Sequence, residues 1–337
     1  MKKRLLYIGN KLGHKSANIS SINYLGQLFE NEDYYLFYAS SKANKFFRLI
    51  DMLWACFKHR HDVDYVLIDT YSTQNFYYAL FVSQLCMFLK LKYIPILHGG
   101  NLPDRLKNTP KLSKLIFNNA YKNVAPSKYL KIGFEKFGYE NITHIPNTIE
   151  IKNYQFENRD FEHVNLLWVR SFSNIYNPEL AIKIFASLNR EGISSTLCMV
   201  GPDAEGSLNE VQKLADDLNV DVKFTGKLSK VEWIKLSKDY NIFINTTNFD
   251  NMPVSIIEAM ALGLPIISTN VGGMPFMIEN GVDGILVEPN SEENFVKAIK
   301  CVINDPDNAL KMTCRAREKV EKFDWSHVKK QWKSILT

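Results

Sequence analysis

The stretch Asp250-Asn-Met-Pro-Val-Ser-Ile-Ile-Glu258-Ala-Met-Ala-Leu-Gly263-Leu-Pro265 predicts a loop, a helix and a turn in direct succession. Pro253 fits the first turn of a helix, where its missing N–H group costs no hydrogen bond. Gly263 followed by Pro265 predicts the end of that helix. The run Ile266-Ile-Ser-Thr269 then predicts the strand that follows, so the chain passes from helix to strand within a few residues.

The start of this helix suits an anion, with candidate contacts from Asn251, Met252, Pro253 and Val254. Backbone N–H groups there lack helical partners and the helix dipole is positive, so we expect phosphate to bind. Glu258 leans back toward the helix start, and its carboxylate can accept hydrogen bonds from two neighbouring ribose hydroxyls. Acids near helix starts are also common caps, so the spacing of Asp250 and Glu258 alone does not assign a function.

The whole stretch resembles the E-x7-E signature of family 4 retaining glycosyltransferases, with Asp250 in the first acidic position and Glu258 in the second. The segments Asn270 to Pro275 and Asn280 to Pro289 resemble later parts of the same family. The resemblance implies that the second acid binds the ribose of a nucleotide and that the first lies by the donor sugar. It also implies a transferase that needs no bound metal or other cofactor.

Strands and helices alternate through both halves of the chain. Tyr93 to His98 predicts a short buried strand, and Tyr77 to Leu91 predicts the helix before it. Asn165 to Arg170 begins the same pattern again in the second half. Such alternation predicts an α/β protein with two doubly wound parallel sheets. The resemblance implies the GT-B fold, in which two Rossmann-like domains face a cleft.

The domain boundary is predicted near the polar stretch Glu150 to Glu162. We expect an N-terminal acceptor-side domain at residues 1–155 and a C-terminal nucleotide-sugar donor domain at residues 156–323. The resemblance implies that the last helix, residues 324–337, packs back on the first domain.

Arg170 ends the first predicted strand of the second domain, at the edge where ligands of such sheets bind. A guanidinium can clamp a diphosphate with two hydrogen bonds, and the resemblance implies this role for Arg170. The family's usual lysine five residues later is Ile175 here, so Lys227 is a candidate replacement, although a solvent-facing loop lysine is an equal interpretation. Backbone around Gly201 is a candidate for reading the base, or an ordinary turn.

The first domain contributes Gly9 and Gly13, which flank the loop after the first predicted strand. Glycines there let backbone approach a phosphate or sugar closely. His98, in His98-Gly99-Gly100, resembles the family's His-Gly pair, whose histidine approaches the donor sugar and the acceptor. We therefore expect Gly9, Gly13 and His98 on the acceptor side, and Asp250, Arg170 and His98 as the catalytic set.

Charge is divided unevenly along the chain. Residues 1–150 hold 20 Lys and Arg against 11 Asp and Glu, whereas the whole chain holds 41 against 36. A basic first half suggests an anionic membrane face or another acidic partner. Residues 41–60 mix aromatics and cations, which fits either an interfacial helix or, as the preferred interpretation, a core helix with a solvated basic face.

Several classes of protein are disfavoured. No recognised nucleic-acid motif accompanies the basic charge, and no apolar run is long enough for a membrane span. The five scattered cysteines lack metal-ligand spacing, which favours a reducing cytoplasm, with the inner membrane face as a further option. Hydrolytic triads and zinc motifs are likewise missing from the sequence.

The resulting functional prediction is a retaining glycosyltransferase. It would move a sugar from a nucleotide sugar, with UDP preferred, to a hydroxyl of a bacterial surface polysaccharide or lipid-linked glycan. Two alternatives stay open, a nucleotide-sugar epimerase of the same fold and a non-catalytic partner subunit. The second is suggested by the missing lysine and by Asp250 in place of the usual Glu.

Overall fold

The computed structural model describes residues 2–11 and 20–337, so Gly13 lies outside the described residues. The chain forms two compact units. Unit 1 comprises Met1–Pro146 and Val328–Thr337, and unit 2 comprises Asn147–His327. Each unit is built on its own six-stranded sheet, in which every pair of neighbouring strands is parallel.

Unit 1 has the sheet order β2-β1-β3-β4-β5-β6. Its strands are β1 (Lys3–Ile8), β2 (Tyr34–Ala39), β3 (Tyr65–Thr70), β4 (Tyr93–Leu97), β5 (Asn123–Ala125) and β6 (Ile142–His144). Its helices are α1 (Ser21–Glu30), α2 (Lys45–Lys58), α3 (Phe76–Phe88), α4 (Leu102–Asn108), α5 (Pro110–Phe117) and α6 (Lys128–Lys136), followed at the chain end by most of the last helix (Trp325–Ile335). Every residue of β3 and β4 is buried, as a sheet covered on both faces requires.

The strand order of unit 1 reverses at β1. Because crossovers between parallel strands are right-handed, the steps from β2 onward place α2, α3 and α5 on one face, and α1 lies on the other. Contacts agree with this, since Gln84 of α3 donates to the carbonyl of Leu115 on α5 at 3.0 Å. On the opposite face, Trp332 packs edge-on against Phe29 of α1.

Unit 2 has the order β12-β11-β10-β7-β8-β9. Its strands are β7 (Val164–Val169), β8 (Ser195–Val200), β9 (Val222–Gly226), β10 (Ile242–Asn245), β11 (Ile266–Thr269) and β12 (Ile285–Val287). Its helices are α7 (Pro178–Arg190), α8 (Leu208–Asp217), α9 (Lys230–Leu236), α10 (Val254–Ala261), α11 (Met274–Met277), α12 (Glu292–Asn304) and α13 (Pro306–Glu321); the last helix of the chain is α14 (Trp325–Ile335). The two doubly wound parallel sheets predicted from the sequence are confirmed.

The boundary between the units differs from the one predicted at residue 155. Residues 147–155 belong to unit 2 because Ile149 and Tyr154 are buried in its core beside α10 and β11. At the other end, the chain returns to unit 1 at Val328 rather than at residue 324. The amide of Trp325 donates to the carbonyl of Ile149, which holds the first turn of α14 on unit 2.

The region of α10 follows the prediction closely, with one shift. Pro253 is the residue before the first helical turn, with extended backbone angles, and not a residue of that turn. The helix ends at Ala261, and Gly263 adopts a φ of +80°, which a glycine tolerates without strain. The strand Ile266–Thr269 is present as predicted.

Helix α2 departs from the preferred interpretation of a core helix with a solvated basic face. Its central cation, Arg48, turns inward, is 7% exposed, and donates to the carbonyls of Lys42 and Ala43 and to the side chain of Asn10. The outward face therefore loses that charge and is largely aromatic. No helix in the described part of the chain combines the length and apolar character that crossing a bilayer requires.

Candidate active site

The reversal of strand order in unit 2 lies between β7 and β10, and ligands of such sheets bind beyond the carboxyl ends of strands at this point. Arg170 directly follows β7, and Asn245 ends β10. The Nε of Arg170 donates to Oδ1 of Asn245 at 3.1 Å, and its Nη2 lies 3.0 Å from Oδ2 of Asp250. Two residues predicted for the site are thus brought into an ion pair at the switch point.

The ion pair leaves hydrogen-bonding capacity on the guanidinium. Although Arg170 Nη2 is close to Asp250, the direction of its N–H groups does not meet hydrogen-bond geometry, and this buried atom makes no hydrogen bond to any described residue. A buried donor without an acceptor is costly, at about 1–3 kcal/mol. The ring of Tyr176 has its centroid 5.2 Å from the guanidinium carbon, a cation–π contact. The arrangement suits an oxygen-rich anionic ligand.

Glu258 projects from α10 and is buried, with 5% of its surface exposed. Its Oε1 accepts a hydrogen bond from the hydroxyl of Tyr154 at 2.6 Å and pairs with Nζ of Lys230 at 2.6 Å. A buried carboxylate needs such partners, because an unpaired one would cost several kcal/mol. Both contacts fall on the same oxygen, so Oε2 is not held by these two groups.

Lys230 pairs with Glu258 at this site, although nothing in the sequence singled it out. Ser229 and Glu232 form a capping box in which the Ser229 hydroxyl accepts from the Glu232 amide and the Glu232 carboxylate accepts from the Ser229 amide. This box starts α9 at Lys230 and aims that lysine at Glu258. The capping pattern was visible in the sequence, but the pairing was not. Lys227, the predicted cation, is exposed in the loop before α9.

The loop from Asp250 to α10 is held by backbone packing. Asn251 and Met252 are buried, and the amide of Gly273 donates to the carbonyl of Asp250 at 2.9 Å. A Cβ at Gly273 would overlap the Asn251 carbonyl oxygen, so only glycine permits this approach. Asn147 donates to the carbonyl of Met252 at 2.8 Å, which fixes the loop from the other side.

The start of α10 has no side-chain cap, because Pro253 occupies the capping position. The first backbone amides of the helix, from Val254 on, have no helical partner by geometry. In the same turn, the Oγ of Ser255 is buried and makes no hydrogen bond to any described residue. Unfilled donors at the positive end of a helix favour an anion.

Gly201 follows β8, and a Cβ there would overlap the carbonyl oxygen of Arg170. Its amide donates to the carbonyl of Gly226 at 2.9 Å. The glycine therefore allows the strand ends beside Arg170 to pack closely. Its assignment to reading the base stays a prediction.

Unit 1 contains a second polar cluster at its own switch point, between β1 and β3. His98, just after β4, places Nε2 at 2.8 Å from Oδ1 of Asp69, and the hydroxyl of Tyr7 donates to the same oxygen at 3.0 Å. Oδ2 of Asp69 is buried and makes no hydrogen bond to any described residue. Gly9 borders this oxygen, and a Cβ there would lie 2.5 Å from it.

The tyrosines beside Asp69 have raised pKa values. Burial, then the neighbouring Asp69 carboxylate, raises the pKa of Tyr7 well above its usual value, so Tyr7 keeps its proton. The same two causes raise the pKa of Tyr71, whose ring lies 5.3 Å from that of His98. Asp69 was not singled out from the sequence, and its only signal was an acid inside an otherwise uncharged buried strand.

Residues predicted for each unit are thus found at its carboxyl edge, with Arg170, Asp250 and Glu258 in unit 2 and Gly9 and His98 in unit 1. Within residues 2–11 and 20–337, no three His, Cys, Asp or Glu side chains are grouped to hold a metal ion. Ile175 stands where the family usually has a lysine, and it is 40% exposed. Its carbonyl accepts a hydrogen bond from the amide of Asn248.

Comparison with solved structures supports the fold. The chain is similar to an Anabaena protein, HepE, in complex with UDP and glucose, with a TM-score of 0.80, 16% identity and 99% of both chains covered. It is also similar to a sucrose-phosphate synthase from Thermosynechococcus elongatus, with a TM-score of 0.82, 15% identity and coverage of 99% of this chain and 98% of that one. At these identities the likeness concerns the fold, which is GT-B.

Comparison of sequences identifies the family. An uncharacterized glycosyltransferase of Haemophilus influenzae is 29% identical over 206 residues, which cover 60% of this chain and 57% of that protein, so the match spans little more than half of the relative's length. Residues 152–319 match the model of the family described as glycosyl transferases group 1, and this range contains Arg170, Asp250 and Glu258. The chain that carries this switch-point site therefore belongs to the group 1 glycosyl transferases.

Proposed function

We propose that the chain transfers a glycosyl group from a nucleotide sugar to an acceptor hydroxyl with retention of anomeric configuration. The observation that carries the proposal is the Arg170–Asp250 pair at the switch point of unit 2, inside the family-matching region. The paired guanidinium nitrogen makes no hydrogen bond within the part of the chain that the structure describes.

In this proposal Glu258 binds the ribose. Tyr154 and Lys230 both contact Oε1, which gives the buried carboxylate its partners and leaves its other oxygen for sugar hydroxyls. Charged acceptors form stronger hydrogen bonds than neutral ones, at about 1.5–3 kcal/mol each. UDP is the favoured nucleotide, and the similar Anabaena protein, whose structure was solved in complex with UDP and glucose, supports that choice.

Phosphate charge is taken up by two groups in the proposal. Arg170 offers Nη2, and the first turn of α10 offers amides near Val254 and the hydroxyl of Ser255. Preorganised donors of this kind stabilise the charge that grows on a leaving diphosphate. We propose that these groups replace a bound metal or other cofactor and the missing lysine, with Lys230 rather than Lys227 as the nearby cation.

The chemistry breaks the bond between the anomeric carbon and the diphosphate oxygen and forms a bond from that carbon to the acceptor oxygen on the same face. The acceptor proton passes to an oxygen of the leaving phosphate, so atoms and charge balance. Asp250 positions hydroxyls of the donor sugar through the carboxylate that Arg170 holds. We assign His98, oriented by Asp69, to the acceptor, together with Gly9.

The destination we propose is a bacterial surface polysaccharide or lipid-linked glycan made on the cytoplasmic side of a membrane. The basic balance of residues 1–150 supports an anionic partner on that side.

A donor screen with product analysis tests the proposal. UDP, GDP, ADP and their sugars are tested by thermal shift, and the sugar that binds is then incubated with candidate acceptors. We expect nucleotide release that requires acceptor and a product whose proton NMR coupling shows the donor's anomeric configuration. Conversion of the donor without acceptor would identify an epimerase, and failure to bind any nucleotide would identify a non-catalytic subunit. Either result would reject the transferase.

A further inference from the structure

The outward side of α2 presents large aromatic side chains to solvent. Phe46, Phe47, Ile50, Trp54 and Phe57 are between 46% and 67% exposed. Their spacing places most of them along one face of the helix. Met52, Ala55 and Cys56 on the opposite face are buried in the core. The exposed side is therefore a second apolar face that no described residue covers.

The neighbouring helix α3 continues this surface. It has no charged residue from Phe76 to Phe88, although Tyr77, Phe81 and Phe88 are exposed, the last by 83%. A solvent-facing helix normally carries charges on its outer side. The two helices are joined where the Tyr78 hydroxyl donates to the carbonyl of Lys45 at 3.1 Å. We call the exposed apolar residues of α2 and α3 the aromatic face.

Helix α5 extends the same layer. The amide of Gln84 reaches from α3 to the carbonyl of Leu115, whose own side chain is 43% exposed. Monomeric proteins seldom expose large contiguous apolar patches, and those that do use them for a membrane or a protein partner. The layer spans three adjacent helices, so scattered single exposures do not explain it.

The charges on α2, α3 and α5 favour a membrane over a protein partner. Helices α2, α3 and α5 together contain five basic residues and one acidic residue, Asp51. Arg48 is turned inward, which leaves four exposed lysines, namely Lys45, Lys58, Lys111 and Lys114. Exposed aromatic side chains with exposed lysines on the same group of helices match the interfacial zone of a bilayer, where rings enter the headgroup layer and ammonium groups meet lipid phosphates.

We propose that the aromatic face docks unit 1 on the headgroup region of an anionic lipid bilayer. The residues that enter the interface are Phe46, Phe47, Trp54, Phe57 and Phe88, and the flanking lysines bind lipid phosphate. A protein docked in this way lies on the membrane surface and needs no spanning helix. The inference rests on exposure and charge in unit 1, and it stands independently of glycosyl transfer.

Trp54 gives the experiment a direct probe. It is 57% exposed, whereas the other tryptophans (Trp168, Trp233, Trp325 and Trp332) are at most 8% exposed. The full chain is mixed with phosphatidylcholine vesicles with or without phosphatidylglycerol, and some vesicles carry brominated chains. We expect sedimentation with the anionic vesicles and quenching of Trp54 emission by bromine. Raised salt should weaken the binding, because exposed charges are screened.

Matched variants localise the binding. The double substitution Phe47→Ser and Trp54→Ser should weaken vesicle binding by at least about tenfold, since two rings leave the interface. Lys58→Glu should weaken binding to anionic vesicles by about fivefold or more and should not affect neutral ones. The control pair Leu218→Ser and Leu310→Ser, exposed apolar residues of unit 2, should bind like wild type.

Two outcomes would overturn the proposal. One is vesicle binding and Trp54 emission that do not respond to anionic lipid. The other is sedimentation equilibrium showing a self-associated wild type that becomes monomeric in the double variant while vesicles bind neither, which would make the face a contact between protein copies. Far-ultraviolet circular dichroism and urea midpoints confirm folding, and substitutions at these exposed positions should leave both unchanged.

Discussion

Arg170 is held by two side chains that a lysine would not satisfy in the same way. Its Nε donates to Asn245 while Nη2 faces Asp250, so the planar guanidinium spans the ends of two neighbouring strands. A lysine at this position would supply a compact positive charge but not the planar set of donors that contacts both side chains. One side chain therefore contacts Asn245 and Asp250 together and keeps a nitrogen, Nη2, that makes no hydrogen bond to any described residue. Its burial, at 11% side-chain exposure, strengthens its field.

Replacing Arg170 tests that combination. Arg170→Ala should lower kcat/KM by on the order of a hundredfold, the cost of removing one preorganised donor to a developing anion. Arg170→Lys should recover only part of this loss, because lysine restores the positive charge but cannot donate the paired hydrogen bonds of a planar guanidinium. The measurement is steady-state kinetics with the donor identified by screening.

Arg190→Ala is the matched control, because Arg190 pairs with Glu292 on the surface of the same unit. We expect its kcat/KM to equal that of wild type. Full activity in a folded Arg170→Ala protein would remove Arg170 from the site.

At the scale of elements, the loop before α10 depends on the glycine pair that follows β11. Gly272 adopts a φ of +54°, and a Cβ there would overlap the carbonyl oxygen of Asp250. Gly273 binds the same carbonyl through its amide. The loop that carries the first acid is thus packed against the backbone of the turn after β11, which helps to set the position of Asp250.

Gly272→Ala should therefore displace Asp250 as well as strain the turn. Gly281 offers a control with a φ of +76° and no atom within 4 Å of an added Cβ. We expect Gly281→Ala to lower the free energy of unfolding by about 1–2 kcal/mol from the left-handed backbone alone. Gly272→Ala should cost about 1–3 kcal/mol more through the overlap and should raise the KM for donor.

Urea unfolding and donor kinetics on the two variants provide the measurement. Equal stabilities and equal KM values would show that the overlap is relieved without moving Asp250.

At the scale of the whole molecule, stability should depend on pH through His144 in β6. Burial, and then the positive charge of Lys128, lowers the pKa of His144 below its usual value. Unfolding restores a pKa of about 6.5, so the unfolded chain binds more protons in the window below that value. Stability is therefore fully present above about pH 6.5 and falls as pH drops toward the lowered pKa of the folded state.

His144→Gln should remove this contribution. We expect the urea midpoint of wild type to fall between about pH 7.5 and about pH 5.5, and that of His144→Gln to fall less. His61→Gln, at an exposed position of the same unit, is the control and should follow wild type. Parallel pH profiles for His144→Gln and wild type would contradict the assignment.

How much the sequence predicts also depends on scale. Uncharged runs such as β4 and the glycine–proline stop after α10 are local signals, so the sheets and the helix of the acidic motif were predicted correctly. The partners of those residues were not. Lys230 pairs with Glu258 from 28 positions away, and Asp69 pairs with His98 from another strand.

Such pairings depend on which strand ends lie side by side, and no periodicity encodes that. The inward turn of Arg48 has the same origin, because the carbonyls it binds are presented only once the loop before α2 has folded. The unit boundary was missed for a related reason, since the burial of Tyr154 against Glu258 is a tertiary contact.

Calorimetric titration with UDP on matched glutamate variants tests the donor assignment most directly. Wild type should bind UDP, and Glu258→Gln should bind about tenfold to a hundredfold more weakly, because a charged acceptor of ribose hydroxyls is lost. Glu292→Gln, which removes a surface carboxylate of the same unit, should bind like wild type. Equal affinity of Glu258→Gln and wild type, with both folded, would contradict a ribose bound at Glu258.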